Sequence, residues 1–271
     1  MKSIAQKLVR EISGVARVCG PLTGLKYLAA CLTAIPGIAR TKTLQPADER
    51  MGTVSVTCKH GTVAYPSKEL DAANTLQGDS PAFSAIREIF ARDVYGHGFT
   101  TLPKIKTMLD LGANRGVVTL YGVKSLGAEW VCGIDPTDGY DKVFAHLADA
   151  NDLAEGQRHR IKKFVGSAGG EETLTVGMVL KDHGIAKLDF LKCDIEGGEN
   201  AVFLEDPAEF LNVTDRLVME LHPAMGSRSE EIGARLSAAG FSFKSYDADK
   251  RPCDLARADY LFASKNPGEL R

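Results

Sequence analysis

Residues 105–116 combine an apolar run with a turn that contains one acid and two glycines. Asp110 ends the run, and Gly112 and Gly116 lie on either side of Asn114 before helix-like apolar spacing resumes. We predict a strand, a tight turn and a helix, in which glycine lets the backbone approach a ligand and the helix start offers unpaired N–H groups. A dinucleotide pyrophosphate needs three closely spaced glycines, so this pattern disfavours a dinucleotide site.

Four more side chains that could take part in a reaction follow two later apolar runs. Asp194 and Glu196 are two residues apart, so an extended chain directs both to one side. Glu220 and His222 alternate with apolar residues in the same way. If the two runs are neighbouring strands, all four side chains gather at one sheet edge, where a histidine beside carboxylates can act as a base. Glu199 lies where a helix begins, which is a favourable place for a carboxylate.

Two further strand ends offer polar groups for a ligand. Asp135 follows a second apolar run, where a carboxylate can accept hydrogen bonds from both hydroxyls of a ribose. Such an acid also occurs in nicotinamide sites, and its structural alternative is a turn residue before Pro136. Ser167 stands beside glycines after a third run, and a small hydroxyl there suits the edge of an adenine ring.

The elements that must position these residues are strands that alternate with helices. Strands and helices in alternation imply a parallel sheet with helices on both faces, and we predict a seven-stranded, Rossmann-like α/β fold. No helix separates the last two strands, so the last strand is expected to be antiparallel. The predicted strands are 105–110, 129–134, 159–165, 187–193, 215–222, 241–246 and 259–263, and the helices between the first six are 117–126, 139–150, 171–183, 199–210 and 227–239.

Two segments precede the predicted sheet. Residues typical of strands on both sides of His60 and Gly61 predict a β-hairpin, and helical spacing follows from residue 82. We therefore expect a basic amphipathic helical leader over residues 1–50, a hairpin with a helix over 51–104 and a ligand-binding domain over 105–271.

The leader differs from the rest of the chain in charge. Residues 1–42 carry a charge of +6, which leaves −8 for the remainder. The apolar stretch 25–38 is shorter than the roughly 20 helical residues that span a bilayer, and no secretory cleavage pattern follows it. The leader packs on the domain or on a second subunit, or it lies on anionic lipid. We expect a cytoplasmic protein, either free or peripheral at the inner face of the membrane. The sequence is also compatible with a homo-oligomer. Near-helical spacing is shown by Ile4, Leu8, Ile12, Val15 and Val18.

Composition narrows the class of protein. A chain of 271 residues with 44% apolar residues can build a full core. Its six cysteines form no Cys-x-x-Cys pair, which favours reduced thiols over zinc or disulfides. Nucleic-acid binding is disfavoured, because the chain beyond the leader is acidic and contains a single Trp.

Four blocks of the sequence together resemble the FkbM family of class I S-adenosylmethionine-dependent methyltransferases. The resemblance covers residues 53–264 and leaves the leader out. It implies the seven-stranded methyltransferase fold and a cofactor, S-adenosylmethionine, bound by Asp110, Gly112, Asn114, Gly116, Asp135 and Ser167. The family usually has Glu where this chain has Asp135, which keeps an acceptor but shortens it. The blocks are Glu88–Tyr95, Asp110–Gly116, Phe190–Glu199 and Glu220–His222.

The same resemblance implies O-methylation of a hydroxyl on a sugar, a polysaccharide or a natural product, so the expected partner is a small-molecule or glycan acceptor. His222 is the expected general base and Asp194 the orienting group, with Glu196 and Glu220 beside them. In the rival assignment Asp194, Glu196 and His222 bind Mg or Mn, which accept such ligands. Two other classes stay open, namely a non-catalytic ligand-binding protein of this fold and a nicotinamide-dependent oxidoreductase.

Overall fold

The computed structural model describes residues 4–271, and side chains from residue 6 onward. Lys2 and the side chain of Ile4, both part of the predicted leader helix, lie outside this description. The described chain forms two compact units. The first comprises the described residues up to Val94, with Arg115–Ser125 and Asp138–Leu153; the second comprises Tyr95–Asn114, Leu126–Thr137 and Ala154–Arg271. Because the units interleave along the sequence, the division into 1–50, 51–104 and 105–271 stays a prediction.

The helices and strands are as follows. The α-helices are α1 (Ile4–Cys19), α2 (Pro21–Thr33), α3 (Ile35–Thr41), α4 (Gln45–Asp48), α5 (Ser67–Ala73), α6 (Phe83–Ala85), α7 (Val117–Tyr121), α8 (Asp141–Ala150), α9 (Val176–Asp182), α10 (Phe210–Val213) and α11 (Ser229–Ala238). The strands are β1 (Thr53–Cys58), β2 (Gly61–Pro66), β3 (Thr107–Leu111), β4 (Trp130–Ile134), β5 (His159–Ile161), β6 (Phe164–Val165), β7 (Thr173–Leu174), β8 (Phe190–Cys193), β9 (Arg216–Glu220), β10 (Ser242–Tyr246) and β11 (Tyr260–Ser264). Wider, π-type turns occupy Ile86–Ala91, Gly122–Leu126 and Ala201–Glu205.

The second unit contains a seven-stranded sheet in the order β10, β11, β9, β8, β3, β4, β5. The neighbouring strands from β9 to β5 pair in parallel, whereas β11 pairs antiparallel with both β9 and β10. Six strands therefore share one direction and β11 alone is reversed, which confirms the predicted fold. The chain leaves β3 towards β4 on one side and reaches β8 on the other. The ligand of an open parallel sheet binds beyond the carboxyl ends of the strands at such a switch point.

The central strands have continuous apolar runs in their sequence because their side chains are buried on both faces of the sheet. Leu109, Leu191 and Leu217, from β3, β8 and β9, are fully buried, as are Phe203 and Met219. A sheet buried on both faces needs apolar residues at successive positions, because successive side chains point to opposite faces. The core thereby fixes the strands whose ends carry the polar residues.

Two predicted elements are divided in the structure. The predicted strand 159–165 forms β5 in the main sheet and then β6, which pairs with β7 instead. The helix predicted from residue 171 consequently begins at Val176, after Thr175 accepts a hydrogen bond from the N–H of Met178 at 3.2 Å. The helix predicted over 199–210 is interrupted before Pro207, because the residue that precedes a proline is disfavoured in a helix.

The leader is helical and packs within the first unit. Val15 of α1 is fully buried, and a Cβ on Gly24 of α2 would come within 2.4 Å of the Ala16 Cβ. The predicted hairpin is present as β1 and β2, paired from Thr53 to Cys58. Among the described residues no single helix could cross a bilayer by length and apolar character, but the pair α2 and α3, bent by 70°, could by that measure alone.

Candidate active site

The loop after β3 is tied to the neighbouring strand by its backbone. Gly112 and Asn114 have left-handed φ angles of 75° and 47°. The N–H groups of Gly112 and Ala113 both donate to the carbonyl oxygen of Ile134, at 2.9 and 3.0 Å. A Cβ at Gly112 would lie 1.7 Å from the carbonyl oxygen of Asp194. The sequence predicts this glycine as a path for a ligand, whereas in the structure the loop after β8 already fills the space.

Asp110 is fully buried at the end of β3 and faces a buried lysine. The Lys192 Nζ lies 3.1 Å from Asp110 Oδ1 and donates to the carbonyl oxygens of Leu111 and Gly112, at 3.1 and 2.6 Å. Burial favours the neutral amine, but the charges of Asp110 and Asp194 prevail and raise the pKa of Lys192 above its ordinary value. The ammonium therefore stays charged and links the ends of β3 and β8. The role of Asp110 towards the cofactor stays a prediction.

Asp135 uses both carboxylate oxygens to hold loops in place. Its Oδ2 accepts the N–H of Asn114 at 2.8 Å, and its Oδ1 accepts the N–H of Thr137 at 2.9 Å. The Arg160 Nη1 donates to the carbonyl oxygen of Asn114 at 2.8 Å. Each carboxylate oxygen has about two acceptor positions, so Asp135 retains capacity for the hydroxyls of a ribose. Asp135 thus fits its predicted role, and the cofactor-binding roles of Asp135 and Asn114 stay predictions.

Gly116 and Ser167 have different surroundings from those expected. Gly116 belongs to the first unit, where it precedes α7 with a φ of 84° and where a Cβ would come within 2.2 Å of the Phe144 ring. Ser167 follows β6, and therefore does not end a strand of the main sheet. The cofactor-binding roles of both residues stay predictions.

His222 stands between two carboxylates just after β9. Its Nδ1 lies 2.7 Å from Glu199 Oε1, and its Nε2 lies 3.6 Å from Asp194 Oδ1. Glu199 is fully buried, and its Oε1 also accepts the N–H of Gly197 at 3.2 Å. Glu199 is therefore more than the helix-start residue that its position in the sequence indicates. It is the fixed partner of the imidazole.

The carboxylate of Asp194 is held by two further side chains. The Tyr95 hydroxyl donates to Asp194 Oδ2 at 3.0 Å, and the Lys192 Nζ lies 3.7 Å from the same oxygen. Burial, together with the charges of Asp194 and Glu220, holds the pKa of Tyr95 well above its ordinary value, so the phenol keeps its proton. With Oδ2 engaged in this way, Oδ1 is the oxygen that faces His222. Tyr95 and Lys192 lie within two of the blocks that resemble the FkbM family, but the sequence alone indicates no role for either.

The carboxylates also set the ionisation of the histidine. Burial of His222 opposes its charged form, but the hydrogen bond and charge of Glu199, with the charges of Asp194 and Glu220, outweigh burial and raise the pKa of His222 above its ordinary value. His222 remains partly exposed. The arrangement therefore provides an imidazole with one nitrogen anchored to a buried carboxylate and a strong affinity for a proton.

Glu196 and Glu220 are not equivalent members of this cluster. Glu220 is half-buried and contributes charge, whereas Glu196 is exposed and has a left-handed φ of 47°. Within residues 4–271 no group of three or more His, Cys, Asp or Glu side chains could hold a metal ion. The predicted metal ligands Asp194, Glu196 and His222 are therefore not assembled as a set, because both imidazole nitrogens face carboxylates and Glu196 stands apart in the turn.

The reversed β11 beside β9 gives the sheet the seven-stranded arrangement of the class I S-adenosylmethionine-dependent methyltransferase fold. Residues 110–243 match the family model described as the methyltransferase FkbM domain. These residues, just under half of the chain, are thereby identified as an FkbM methyltransferase domain, as the sequence blocks predict. The alternative of a nicotinamide-dependent oxidoreductase is thereby set aside.

Solved structures of other methyltransferases are also similar to the chain. An FkbM methyltransferase from Methylobacillus flagellatus KT is 15% identical, over 72% of this chain and 57% of that one, with a TM-score of 0.44. A putative SAM-dependent methyltransferase from Streptococcus mutans is 10% identical, over 79% and 55% of the two chains, with a TM-score of 0.44. The METTL16 methyltransferase domain is 15% identical, over 59% of each chain, with a TM-score of 0.41. The chain spans less than two thirds of each of these proteins. A comparison with curated protein sequences gives no match.

Proposed function

We propose that the protein transfers a methyl group from S-adenosylmethionine to a hydroxyl oxygen, with His222 as the general base. The observation that supports this proposal is the placement of His222 between Glu199, 2.7 Å from Nδ1, and Asp194, 3.6 Å from Nε2. A hydroxyl is a weak nucleophile that must lose its proton as it attacks, so a positioned base accelerates the reaction. The anchored imidazole suits this task.

Each neighbour of His222 has a definite part in the proposal. Glu199 accepts the hydrogen of Nδ1, which leaves the lone pair of Nε2 for the proton of the acceptor; this tautomer follows from the carboxylate partner. After proton uptake the imidazolium lies between Glu199 and Asp194, whose charges stabilise it. Tyr95 and Lys192 keep Asp194 in position through its Oδ2.

The donor set of the strand ends fits the cofactor. When bound, S-adenosylmethionine supplies an electrophilic methyl group on a sulfonium. Asp135 has acceptor capacity left for ribose hydroxyls. Asp194 and Glu220 are only partly buried, and their carboxylates favour a cation over a neutral or anionic group. Asp110 lies at the end of β3, and Gly112 and Asn114 lie in the loop that follows. We assign all three to the cofactor on the family resemblance.

For the acceptor we favour a neutral hydroxyl compound, namely a sugar, a polysaccharide or a hydroxylated natural product. The charged groups that raise the pKa of His222 are the carboxylates Asp194, Glu199 and Glu220, which would repel an anionic acceptor. Carboxylates and imidazole accept hydrogen bonds from several hydroxyls at once, as a polyol presents them. The family resemblance supports the same class.

The test is methyl transfer from cofactor labelled with ¹³C in the methyl group to a panel of neutral glycosides, oligosaccharides and matched amino sugars. We expect S-adenosylhomocysteine to form only when an acceptor is present, and the ¹³C shift of the product to be that of a methyl on oxygen. A product methylated on nitrogen or carbon would contradict the proposal. A non-catalytic protein of this fold would bind the cofactor in calorimetry and yet release no S-adenosylhomocysteine with any acceptor.

A further inference from the structure

Helix α2 in the first unit has an exposed apolar stripe. Leu22, Leu25 and Leu32 are 66%, 62% and 56% exposed, and Ile35, the first residue of α3, is 56% exposed. Spacings of three and seven residues place the three leucines on one side of the helix. We call Leu22, Leu25, Leu32 and Ile35 the α2 face. Of the nine large apolar side chains exposed in the described chain, five lie between Val9 and Ile35.

The opposite side of α2 is firmly held. Tyr27 is fully buried, and its hydroxyl donates to Asp48 Oδ1 at 2.8 Å. Asp48 in turn lies 3.2 Å from the Arg87 Nη2, in a buried ion pair. Gly24 allows the close approach of α1, since a Cβ there would meet Ala16. The α2 face is therefore a stable surface of the folded unit rather than one side of a detached helix.

The stretch of sequence that contains the α2 face carries charged residues of a single sign. No Asp or Glu occurs between Glu11 and Asp48, a stretch that contains α2 and α3. Lys26 directly follows Leu25 and is exposed. The cations of the stretch are Arg17, Lys26, Arg40 and Lys42. An apolar stripe bordered by cations is typical of a helix that lies in the interface of an anionic membrane.

We propose that the α2 face docks the protein on a bilayer that contains anionic lipid. Leu22, Leu25, Leu32 and Ile35 enter the boundary between headgroups and acyl chains, while Lys26 and Arg40 contact the headgroups. A second copy of the chain is the less suitable occupant. It would bring two sets of cations together with no carboxylate from this stretch to neutralise them. The sequence predicts possible lipid contact for the leader as a whole. Within the leader, α1 buries Val15, whereas four of the five exposed apolar side chains lie on α2 and at the start of α3.

The experiment is co-sedimentation of the full chain with vesicles of phosphatidylglycerol and phosphatidylcholine, with pure phosphatidylcholine vesicles as the neutral control. We expect binding to the anionic vesicles that weakens with salt, since the Debye length falls from about 30 Å at 0.01 M to about 10 Å at 0.1 M. The double variant Leu25→Asp with Leu32→Asp should lose about tenfold or more in affinity, because two charged groups replace two apolar side chains that enter the bilayer. The matched control is Met178→Asp with Val213→Asp, which changes two exposed apolar residues of the second unit and should bind as wild type does.

Thermal unfolding shows whether a variant that loses vesicle binding is still folded. Leu25 and Leu32 are exposed, so their double variant should have an unchanged Tm. Lys26→Glu with Arg40→Glu, which keeps the apolar face, should abolish the preference for anionic vesicles. Equal binding of wild type and the Leu25→Asp, Leu32→Asp variant would overturn the proposal, and so would a dimer in sedimentation that this variant dissociates while the wild type ignores vesicles. No readout depends on methyl transfer, so these results are separate from the fate of the proposed reaction.

Discussion

The buried carboxylate of Glu199 lies 2.7 Å from Nδ1 of His222, which is 23 residues further along the chain. Glu199 is itself anchored by the N–H of Gly197, so the imidazole meets an acceptor that is already in place. One carboxylate thereby sets the tautomer, the orientation and much of the proton affinity of the ring. The dependence of the reaction on pH should consequently be controlled from a residue that the acceptor does not touch.

We predict that the wild-type kcat/KM rises with pH and reaches half of its maximum above the ordinary histidine pKa of about 6.5. The reason is that Glu199, Asp194 and Glu220 raise the pKa of His222, while a base must be neutral to accept a proton. In Glu199→Gln the charge is lost but the oxygen acceptor is kept, so the midpoint should move to lower pH. The measurement is a pH profile of kcat/KM, with the imidazole titrated by NMR. Identical midpoints in the two proteins would contradict the assignment.

The same shift should affect stability. Since the pKa of His222 is raised in the folded state, the folded protein binds this proton more tightly than the unfolded chain does. The stabilisation is fully present below the unfolded value of about 6.5 and is lost as pH rises through the folded pKa. We predict that the difference in free energy of unfolding between wild type and Glu199→Gln is larger at pH 6 than at pH 9. Chemical denaturation at the two pH values measures it, and a difference that grows with pH would show that another group dominates.

Removal of the imidazole should separate binding from chemistry. We predict that His222→Ala retains the affinity of wild type for S-adenosylhomocysteine but transfers methyl about 10²–10⁴-fold more slowly, the usual size of a positioned base. Calorimetry and the methyl-transfer rate measure the two effects. His183→Ala is the matched control, because His183 lies in the second unit against Trp130 and His159. Normal turnover of His222→Ala would leave alignment of the reactants as the main source of catalysis.

The alternation of strands and helices, the reversed last strand and the strand ends that carry the polar residues could be predicted from the sequence. Alternating apolar runs and helical spacing indicate a parallel sheet wherever the core is buried on both faces, as at Leu109 and Leu191. Pairs such as Glu220 and His222 could be assigned to one edge because the side-chain period of a strand is two. The predicted element boundaries are wrong where a local effect overrides the periodicity of apolar residues. Examples are the helix cap at Thr175 and the break before Pro207.

The partners within the site could not be predicted in the same way. Lys192 stands in an apolar run, and only the tertiary structure brings its Nζ to Asp110, 82 residues earlier in the chain. Tyr95 reaches Asp194 over 99 residues of sequence. The sequence predicts Glu199 only as a helix-start residue, since it does not show which later side chain faces this carboxylate. Long-range contacts of this kind leave no periodic signal.

The pair of Asp110 and Lys192 gives a prediction about stability. Lys192→Met should destabilise the protein by about 3–5 kcal/mol, because it leaves a buried carboxylate without its cation. It also leaves the carbonyl oxygens of Leu111 and Gly112 without the Nζ donor. Chemical denaturation measures the loss, and adding Asp110→Asn to Lys192→Met should cost less than the sum of the two single changes.

The pH dependence of Lys192→Met provides the check. Burial raises the pKa of Asp110, and the charge of Lys192 opposes that effect. Loss of the ammonium should therefore raise the pKa of Asp110 further. A raised pKa in the folded state means that stability falls as pH rises from the unfolded value of about 3.9 through the folded pKa. Lys192→Met should therefore recover part of its stability at pH 5 relative to pH 8. A loss that is the same at both values, or strictly additive with Asp110→Asn, would contradict the ion pair.

Gly112→Ala should disturb the loop before it disturbs any ligand. The new Cβ would lie 1.7 Å from the carbonyl oxygen of Asp194, and the φ of 75° is one that L-residues adopt only with strain. Because backbone rather than a flexible side chain is the obstacle, the loops after β3 and β8 must separate, which moves the carboxylate of Asp194 away from His222. We predict a loss of free energy of unfolding of about 1–3 kcal/mol or more, together with weaker cofactor binding. Gly52→Ala, where no heavy atom lies within 4 Å of the new Cβ, is the control and should be close to neutral. A Gly112→Ala protein with wild-type stability and weakened cofactor binding would instead favour a direct path of the ligand over this glycine.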